Sequence, residues 1–395
     1  MCNTSPAERF LPAMPFIKNI VSTSSFSIPL SLSALMLAGC SSGGGGGNTP
    51  APAPAPAPAN PPAPGGGGPG ATPAFVRLWV PNYNAGELRA WNLASLQADR
   101  TDAPDVVVTL PAGSRPNAAT FDATGALWVT DNLGARLFKY GRAQIQTSGQ
   151  PTPQVVIDSN GASLQNATGL AFDRLNNLWV AAGGRLEMYA PANLDQSGPT
   201  TPNRILQGIG FDTPAGIVFD AAGNLWLSNA SSVVANNSVV VFTPDQQAAG
   251  GLVTPRLTLT STAFVFVEGL RFDANGSLWV ASNDGLNIAR FSAASTALPA
   301  AAATRPVTPD ASLESDGNAT ATSRTVRKPG GIAFDRDGNL FVNSERGDAG
   351  GTDSGVLRFN AALLNFTGPR QTPATVLVAR STSNPGFGGL CFELP

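Results

Sequence analysis

The sequence predicts an all-β protein that folds as a six-bladed β-propeller with four-stranded blades, and three observations support this prediction. A Phe-Asp pair recurs about every 50 residues, which is typical of a repeat array. Each pair is followed by a turn and then by Leu-Trp-Val or a close variant. The last residues of the chain repeat the motif that the first repeat lacks. The pairs are Phe121-Asp122, Phe172-Asp173, Phe219-Asp220, Phe272-Asp273 and Phe334-Asp335.

The Gly-Leu-x-Phe-Asp run predicts the first strand of each repeat, and the Leu-Trp-Val run predicts the second. Turns such as Ala222-Gly223-Asn224 join them, because Gly and Asn accept the positive φ that tight hairpins need. Neither strand has a polar face, so we expect both faces to be buried between blades. One aromatic residue at the same place in each repeat predicts core packing rather than a ligand platform. These aromatic residues are Trp128, Trp179, Trp226, Trp279 and Phe341.

A third and a fourth strand complete each repeat. The third strand alternates polar and apolar residues, which suits a strand with one wetter face, and the fourth follows a proline-containing linker. In the fifth repeat, residues 293–326 are rich in Ala, Thr and Ser and predict an expanded surface loop with a weak strand near Val307. We predict third strands at 87–91, 136–140, 185–189, 239–242, 287–291 and 356–359, and fourth strands at 106–110, 154–157, 204–206, 256–259 and 375–378.

The two ends of the chain supply the sixth repeat. Leu78-Trp79-Val80 is a second strand without a preceding first strand, and Gly389-Leu-Cys-Phe-Glu393 matches Gly169-Leu-Ala-Phe-Asp173 position for position. The final strand therefore belongs to the blade that the N-terminal repeat begins, and such a shared blade closes the ring. Cys391 lies in this strand and is predicted to be a small core residue.

The repeat Gly-Leu-x-Phe-Asp-x-x-Gly-Asn-Leu-Trp-Val resembles that of the NHL-type propellers and their relatives, the gluconolactonase family and the streptogramin lyases. The resemblance covers nearly all of residues 75–395 and implies the fold, whereas the matching residues are structural ones. The Asp of each Phe-Asp pair is predicted to be a turn or cap residue that accepts hydrogen bonds from nearby backbone N–H groups. The NHL-type lyase of peptide amidation uses histidine-bound zinc, and the streptogramin lyases use a catalytic histidine. This sequence contains no histidine, so neither mechanism carries over.

The N-terminus predicts export and lipidation. An apolar run at residues 26–37 ends on Leu37-Ala38-Gly39-Cys40 and is too short to span a membrane. This ending resembles the lipobox of bacterial lipoproteins, which implies cleavage before Cys40 and diacylglycerol on its sulfur. Ser41 after the cysteine implies the outer membrane, in a Gram-negative envelope. The alternative is an ordinary signal peptide with a chance cysteine. For either kind of signal the true start is Met1 or Met14, and Met14 gives the charged segment before the apolar run a conventional length.

The segment after Cys40 predicts a spacer. Two glycine runs flank alternating Ala-Pro residues, which favour extended polyproline II structure. We therefore divide the chain into a signal peptide at residues 1–39, a lipidated cysteine with its linker at 40–71, and the propeller at 72–395. The membrane, through the lipid anchor, is the first predicted partner.

Composition excludes several function classes. The net charge is −2 with 13% charged residues, so there is no basic stripe for nucleic acid. The absence of histidine removes the commonest general base and the commonest transition-metal ligand. Nucleophilic catalysis by Ser or Cys also lacks its usual base. Cys2 is lost with the signal peptide, Cys40 is lipidated and Cys391 has no partner, so the fold is expected to stand without disulfides.

Polar residues gather at the predicted face where first strands begin and second strands end. Carboxylate and amide oxygens of this kind suit Ca²⁺ rather than zinc. The alternative is a water-filled funnel lined by polar loop residues. The candidate ligand face consists of Asn82, Asn117, Asp131, Asn132, Asn229, Glu268, Asn283, Asp284 and Glu345.

The gluconolactonase family places one Glu, two Asn and one Asp around a channel metal, and this resemblance implies Glu268, Asn229, Asn283 and Asp284 as the corresponding set. Their order departs from the family's, because the family's Glu lies in the first blade, where this chain offers Asn82. Residues 335–339 resemble the start of a calcium loop. A hairpin turn is favoured there, since Arg346 stands where the bidentate Glu would be.

Two functions follow from these observations. The first is a lipid-anchored, non-enzymatic propeller without a cofactor, which presents a binding face to a protein, glycan or small ligand. The alternative is a Ca²⁺-dependent, lactonase-like hydrolase with its metal at the channel mouth.

Overall fold

A computed structural model describes residues 76–99, 104–317, 325–346, 353–372, 374–381 and 389–393. The predicted signal peptide, Cys40 and the linker lie outside the described residues. Within these ranges, no helix is long and apolar enough to cross a membrane.

The strands form six sheets arranged as the blades of a β-propeller, which confirms the predicted fold class. Each of blades one to five contains four antiparallel strands from one repeat. Blade one contains β4 (Pro116–Phe121), β5 (Leu127–Asp131), β6 (Arg136–Tyr140) and β7 (Val155–Ser159); blade two β8 (Gly169–Phe172), β9 (Leu178–Ala182), β10 (Arg185–Tyr189) and β12 (Arg204–Gly208); blade three β13 (Thr213–Phe219), β14 (Leu225–Ala230), β15 (Ser238–Phe242) and β17 (Leu257–Thr260); blade four β18 (Val267–Phe272), β19 (Leu278–Ser282), β20 (Asn287–Phe291) and β22 (Ala311–Glu314); blade five β23 (Pro329–Phe334), β24 (Leu340–Arg346), β25 (Asp353–Phe359) and β27 (Val376–Ser381).

The sixth sheet is the closing blade, and it joins the two ends of the described chain. Its strands are β1 (Arg77–Asn82), β2 (Glu87–Asn92), β3 (Val106–Thr109) and β28 (Cys391–Glu393). In the register of β1 and β28, Trp79 lies opposite Cys391 and Arg77 opposite Glu393. The predicted closure by a blade shared between the N- and C-terminal parts is therefore confirmed.

Four blades carry a fifth strand, which corrects the prediction of four-stranded blades. The linker between the third and fourth strands of one blade pairs in parallel with the fourth strand of the preceding blade. The prediction for residues 293–326 was also wrong in detail, because this segment contains two strands, and the fourth strand of blade four lies after Val307. The added strands are β11 (Gly198–Thr200) on blade one, β16 (Gly251–Val253) on blade two, β21 (Ala303–Pro306) on blade three and β26 (Gly368–Arg370) on blade four.

Helices are few in the described part of the chain. They lie in the linkers and loops at the ends of the blades. They are α1 (Pro244–Ala249) and five 3₁₀ helices at Leu93–Gln97, Arg142–Ile145, Pro191–Asn193, Val234–Asn236 and Ala361–Leu364.

The hydrophobic core consists of six clusters, and each lies between two neighbouring blades. Strands β5, β9 and β19 are buried along their whole length, as the apolar pattern of the second strands predicts. The motif aromatic residues are at most 3% exposed, so their predicted core role is confirmed. Each stacked pair of blades thus buries one continuous apolar layer.

The glycine of the repeat motif is required where the inner strands meet around the axis. A Cβ at Gly169 would lie 2.0 Å from the carbonyl oxygen of Ala215, and one at Gly216 would lie 2.5 Å from that of Glu268. A Cβ at Gly269 would lie 2.5 Å from the carbonyl oxygen of Gly330. Only a residue without a side chain permits this close approach.

Candidate functional site

A channel of about 450 Å³, including its open mouth, runs between the inner strands. Three polar residues of the lining lie near the starts of first strands: Asn117, Thr168 and Glu268. Arg271 lies three residues after Glu268 in the same strand, deeper in the channel. Backbone and small residues such as Gly169 and Gly216 form most of the remaining wall. The loops that surround this mouth are called the loop face below, and the face with the inner hairpin turns is called the turn face.

The aspartate of each Phe-Asp pair is structural, as the sequence predicts. In blade three, Oδ1 of Asp220 accepts hydrogen bonds from the N–H groups of Ala222 (2.8 Å) and Asn224 (2.9 Å). Its Oδ2 accepts from the indole of Trp226 at 2.9 Å. The same carboxylate therefore closes the hairpin turn and holds the core tryptophan.

Two variations fit this scheme. In the closing blade, Glu393 replaces the aspartate and its Oε2 accepts from the Trp79 indole at 3.0 Å. In blade five, Phe341 has no N–H to offer, and Oδ2 of Asp335 accepts from Asn339 at 2.8 Å instead. Oδ1 of Asp335 accepts from two backbone N–H groups of its own turn. The hairpin-turn reading of residues 335–339 is thus confirmed.

Asp122 shows the electrostatic result of this arrangement. Burial on its own would raise the pKa of its carboxyl. Hydrogen bonds from Thr124 (2.6 Å), from the Trp128 indole (3.0 Å) and from two backbone N–H groups outweigh that effect and lower the pKa. The carboxylate therefore stays ionised in the folded protein.

Asp131 and Asn229, two members of the predicted ligand face, are used to hold loops. Oδ1 of Asp131 accepts from the N–H of Arg115 at 2.8 Å, and Oδ2 forms an ion pair with Arg136 at 2.8 Å. Oδ1 of Asn229 accepts from the N–H of Asp212 at 2.8 Å. In each case the side chain at the end of a second strand ties down the loop that leads into the first strand of its own blade.

Blade two lacks an acidic or amide residue at that position and uses Glu187 instead. Glu187 is fully buried, and its carboxylate accepts from the N–H of Leu164 (3.0 Å) and from the hydroxyl of Tyr189 (2.8 Å). Arg185 pairs with it at 2.7 Å. Burial, together with the neighbouring carboxylate of Glu187, raises the pKa of Tyr189, so its hydroxyl remains a donor. Glu187 was not predicted from the sequence, although a carboxylate between Leu186 and Met188 in a third strand is a visible signal.

Asn82 and Asn132 connect neighbouring segments of the loop face. Oδ1 of Asn82 accepts from the N–H of Ala85 at 3.3 Å within its own turn. Nδ2 of Asn132 donates to the carbonyl of Ala167 in the loop of blade two at 3.0 Å. Its Oδ1 accepts from the hydroxyl of Tyr83, in the closing blade, at 3.4 Å. Asn132 therefore bridges three blades.

The remaining predicted residues are spread over the face. Asn117 and Glu268 line the channel. Asp284 lies on the rim of blade four, where its Oδ1 is 3.9 Å from the ammonium of Lys328. Asn283 is buried, and its Nδ2 finds no acceptor among the described residues. Glu345 lies near the end of β24, the second strand of blade five, which ends at the loop face.

The four residues implied as calcium ligands do not fit a resident calcium ion as they stand. Ca²⁺ takes about six to eight oxygen ligands that converge on one point. Asn229 is bound to backbone groups of its own blade, and its Nδ2 donates to the carbonyl of Gly210. Asp284 faces Lys328, whose charge would repel a cation. Over the described ranges, no group of three or more His, Cys, Asp or Glu residues is placed to hold a metal.

The loop face also concentrates unusual backbone and exposed aliphatic side chains, which the sequence analysis missed. Six of the seven described non-glycine residues with positive φ lie in its loops, including Phe266 at 54° and Leu286 at 54°. Such conformations cluster where a fold positions functional groups. The exposed large aliphatic residues of this face are Leu133, Ile209, Val233 and Val234.

Comparison with known proteins supports the fold alone. No protein-family model and no curated protein matches the sequence. A protein of unknown function from Bacteroides caccae matches with a TM-score of 0.53 and 12% identity, over 82% of this chain and 99% of that one. A chain of a nidogen–laminin complex matches with a TM-score of 0.51 and 17% identity, over 76% and 97%.

Two enzymes are among the weaker structural matches. Virginiamycin B lyase from Staphylococcus aureus has a TM-score of 0.45 at 13% identity, over 76% of this chain and 85% of that one. A candidate gluconolactonase has a TM-score of 0.42 at 14% identity, over 73% and 91%. At these identities the likeness concerns the chain fold and says nothing about activity.

Proposed function

We propose that this chain is an envelope lipoprotein, anchored through Cys40, whose NHL-like propeller is a non-enzymatic module that binds a protein partner at its loop face. The anchor rests on the lipobox-like ending at residues 37–40. The binding role rests on the way in which the loop face is built. Asp131, Asn132 and Asn229, which the sequence predicts as part of a ligand face, hold loops, while aliphatic side chains of the same face are exposed.

The loop of residues 231–237 carries this proposal. Asn237 is buried; it donates to the carbonyl of Ser231 at 2.8 Å and accepts from the N–H of Val267 in blade four at 3.2 Å. The hydroxyl of Ser231 donates to Asp212 at 2.5 Å. The same loop exposes 54% of Val233 and 56% of Val234.

A loop tied at its base that displays aliphatic side chains suits a protein interface. The loop has little conformational entropy to lose on binding, and apolar anchors supply most of the affinity in such interfaces. Ile209, which is 61% exposed, lies on the adjoining loop of the same corner, where the carbonyl of Gly210 accepts from Asn229. A glycan-binding face would instead offer unengaged polar groups.

Capture from detergent-solubilised envelope tests the proposal. The parent protein should retain a specific protein, and a variant with Val233→Asp and Val234→Asp should lose it at unchanged melting temperature. Leu175→Asp, at a 73% exposed position on the turn face, is the matched control and should capture normally. In the same material, Cys40→Ser should abolish acyl labelling and move the protein to the soluble fraction; unchanged membrane retention contradicts the anchor.

A second measurement on the same samples tests the hydrolase alternative. If calcium binding supports a lactonase activity, EDTA lowers the melting temperature, calcium restores it, and Glu268→Gln removes both this response and lactone hydrolysis. That result would replace the binding role. We expect no calcium response, since Asn229 and Asp284 are engaged as described.

A further inference from the structure

The channel contains a half-buried cation that the repeat does not require. Arg271 occupies the x position of the Gly-Leu-x-Phe-Asp motif, and its side chain lines the channel. The corresponding residues of the other repeats carry no charge; they are Thr120, Ala171, Val218, Ala333 and Cys391. The ring therefore has one guanidinium at a level where all other blades present small or neutral side chains.

The protein satisfies only part of this guanidinium. Nη1 of Arg271 donates to the carbonyls of Leu270 (3.0 Å) and Ile217 (3.4 Å). Within the described residues, Nε and Nη2 make no hydrogen bond, and no carboxylate forms an ion pair with Arg271. Both carbonyl contacts use one nitrogen, so the other two nitrogens of the guanidinium, which carry three N–H donors, have no partner among the described residues.

The nearest titratable neighbour does not supply the missing negative charge. Burial lowers the pKa of Arg271, and the thiol of Cys391 is the neighbour that opposes this effect. Burial also raises the pKa of Cys391, so its thiol stays protonated and neutral. A guanidinium does not lose its proton in proteins, so the positive charge remains. A half-buried guanidinium that has no carboxylate partner among the described residues is open to an exogenous counter-ion.

We propose that the channel binds a small oxyanion, with the guanidinium of Arg271 as its principal ligand. The planar fork of arginine matches the two oxygens of a carboxylate and equally the oxygens of phosphate. Much of the wall around it is backbone and small residues, including Gly216 and Gly269, which lets an anion of few atoms reach the guanidinium. Glu268 also lines the channel, so the fork of Arg271, and not an excess of positive charge, would select the anion. This site lies inside the ring, and it does not depend on the protein-binding loop at Val233 and Val234.

Melting of the full-length protein in detergent tests this site. The protein is kept in HEPES at constant ionic strength, and acetate or inorganic phosphate is added. A ligand that binds only the folded state at about a hundred times its Kd raises the melting temperature by on the order of 5 °C. Arg271→Met should abolish this rise, and Arg271→Lys should weaken the anion's affinity by roughly tenfold, because it retains the charge but loses the fork.

Arg256→Met is the matched control. Arg256 also donates to the backbone through Nη1, to the carbonyl of Ala300 at 2.7 Å, but it is on the outside of blade three. This variant should respond to anions as the parent does. Without added anion, Arg271→Met should still unfold in one cooperative transition near the parent's melting temperature, because methionine keeps the apolar stem of the side chain; this separates loss of the site from failure to fold.

The two anions identify the source. A response to acetate alone assigns the site to the carboxylate of a small organic acid, and a response to phosphate alone assigns it to inorganic phosphate; either result supports the site. The proposal is overturned if the parent shows no response to either anion, or if Arg271→Met responds as strongly as the parent.

Discussion

A single carboxylate organises each inner hairpin of this propeller. Asp173 receives two backbone N–H groups on Oδ1 and the Trp179 indole on Oδ2 at 3.0 Å. Hydrogen bonds to a charged group contribute about 1.5–3 kcal/mol each. The repeated Asp and Trp are therefore one structural unit, which explains why they recur together at a fixed spacing of six residues.

The substitution Asp122→Asn should show how ionisation of this carboxylate contributes to folding stability. The folded-state pKa of Asp122 lies below its ordinary value of 3.8, so the ionised form stabilises the fold above that pH, and this contribution is lost as pH falls through the lowered pKa. At pH 7 the variant should unfold with a free energy lower by about 1–3 kcal/mol, because the amide cannot accept from both Thr124 and Trp128.

Urea unfolding between pH 6 and pH 2 measures this effect. The difference in unfolding free energy between the parent and Asp122→Asn should become smaller as pH falls below about 4. Asp337→Asn, at an exposed position in the hairpin turn of blade five, is the control and should leave the curve nearly unchanged. A gap that is constant over the whole range would contradict the assigned cause.

Residue roles differed in how far the sequence could predict them. The motif Asp and Trp were predicted correctly because their partners lie six residues apart within one hairpin. Asp131 and Asn229 were assigned to a ligand face instead. Their partners are backbone N–H groups 16 and 17 residues upstream, at Arg115 and Asp212. An Asn or Asp at a strand end suits loop capping and ligand binding equally, and only the fold distinguishes the two.

The inner strands show how one element constrains its neighbour. Gly169 and Gly389 occupy the same motif position, but they meet different surroundings. A Cβ at Gly169 would lie 2.0 Å from a backbone oxygen, whereas one at Gly389 would have the Cβ of Ala118 as its nearest atom at 3.5 Å, which is ordinary contact. Blade one already has Ala118 at this position. The glycine requirement therefore belongs to particular strand contacts and not to the motif as a whole.

Gly169→Ala should consequently be much more destabilising than Gly389→Ala. The first substitution forces strands β8 and β13 apart, and overpacking of this kind typically destabilises by about 1–3 kcal/mol or more. The second should change the unfolding free energy by less than about 1 kcal/mol. Equilibrium urea unfolding of both variants makes the comparison, and equal destabilisation would mean that the axis contact does not set the glycine requirement.

The added outer strands could not be predicted from sequence. Gly198–Thr200 contains proline and glycine and has no strand propensity of its own. It forms a strand because it lies beside β7 of the preceding blade, with Gly198 opposite Ile157. Likewise, Ala303–Pro306 belongs by sequence to blade four but pairs with β17 of blade three. Contact with the neighbouring blade determines the added outer strands, whereas the apolar pattern of the first and second strands is enough to predict them.

At the scale of the whole molecule, a very short strand closes the ring. β28 has three residues, but Glu393 is 2% exposed and connects Trp79 (3.0 Å), Arg77 (3.5 Å) and Gln146 of blade one (3.3 Å). Leu390 and Cys391 are buried in two different inter-blade clusters. The closing strand therefore secures both of its neighbours.

Deletion of residues 389–395 should be far more damaging than the loss of a tail of seven residues. It uncovers the edge of β1 and removes two buried side chains and a buried carboxylate with its partners. We expect the free energy of unfolding to fall by several kcal/mol. Removal of residues 43–70 from the predicted linker is the control and should leave the melting temperature unchanged. A C-terminal deletion variant with the parent's melting temperature would contradict the closing role of β28.

The added strands also decide where this ring can be opened. Each of β11, β16, β21 and β26 comes from one blade and completes the preceding one, so a cut in such a linker damages two blades at once. The inner hairpin turns behave differently. The turn at Asn176 is exposed, and its hydrogen bonds stay within blade two. New chain ends introduced by circular permutation would therefore be tolerated at the hairpin turns of the turn face and rejected in the linkers, although the linkers look like ordinary surface loops in the sequence.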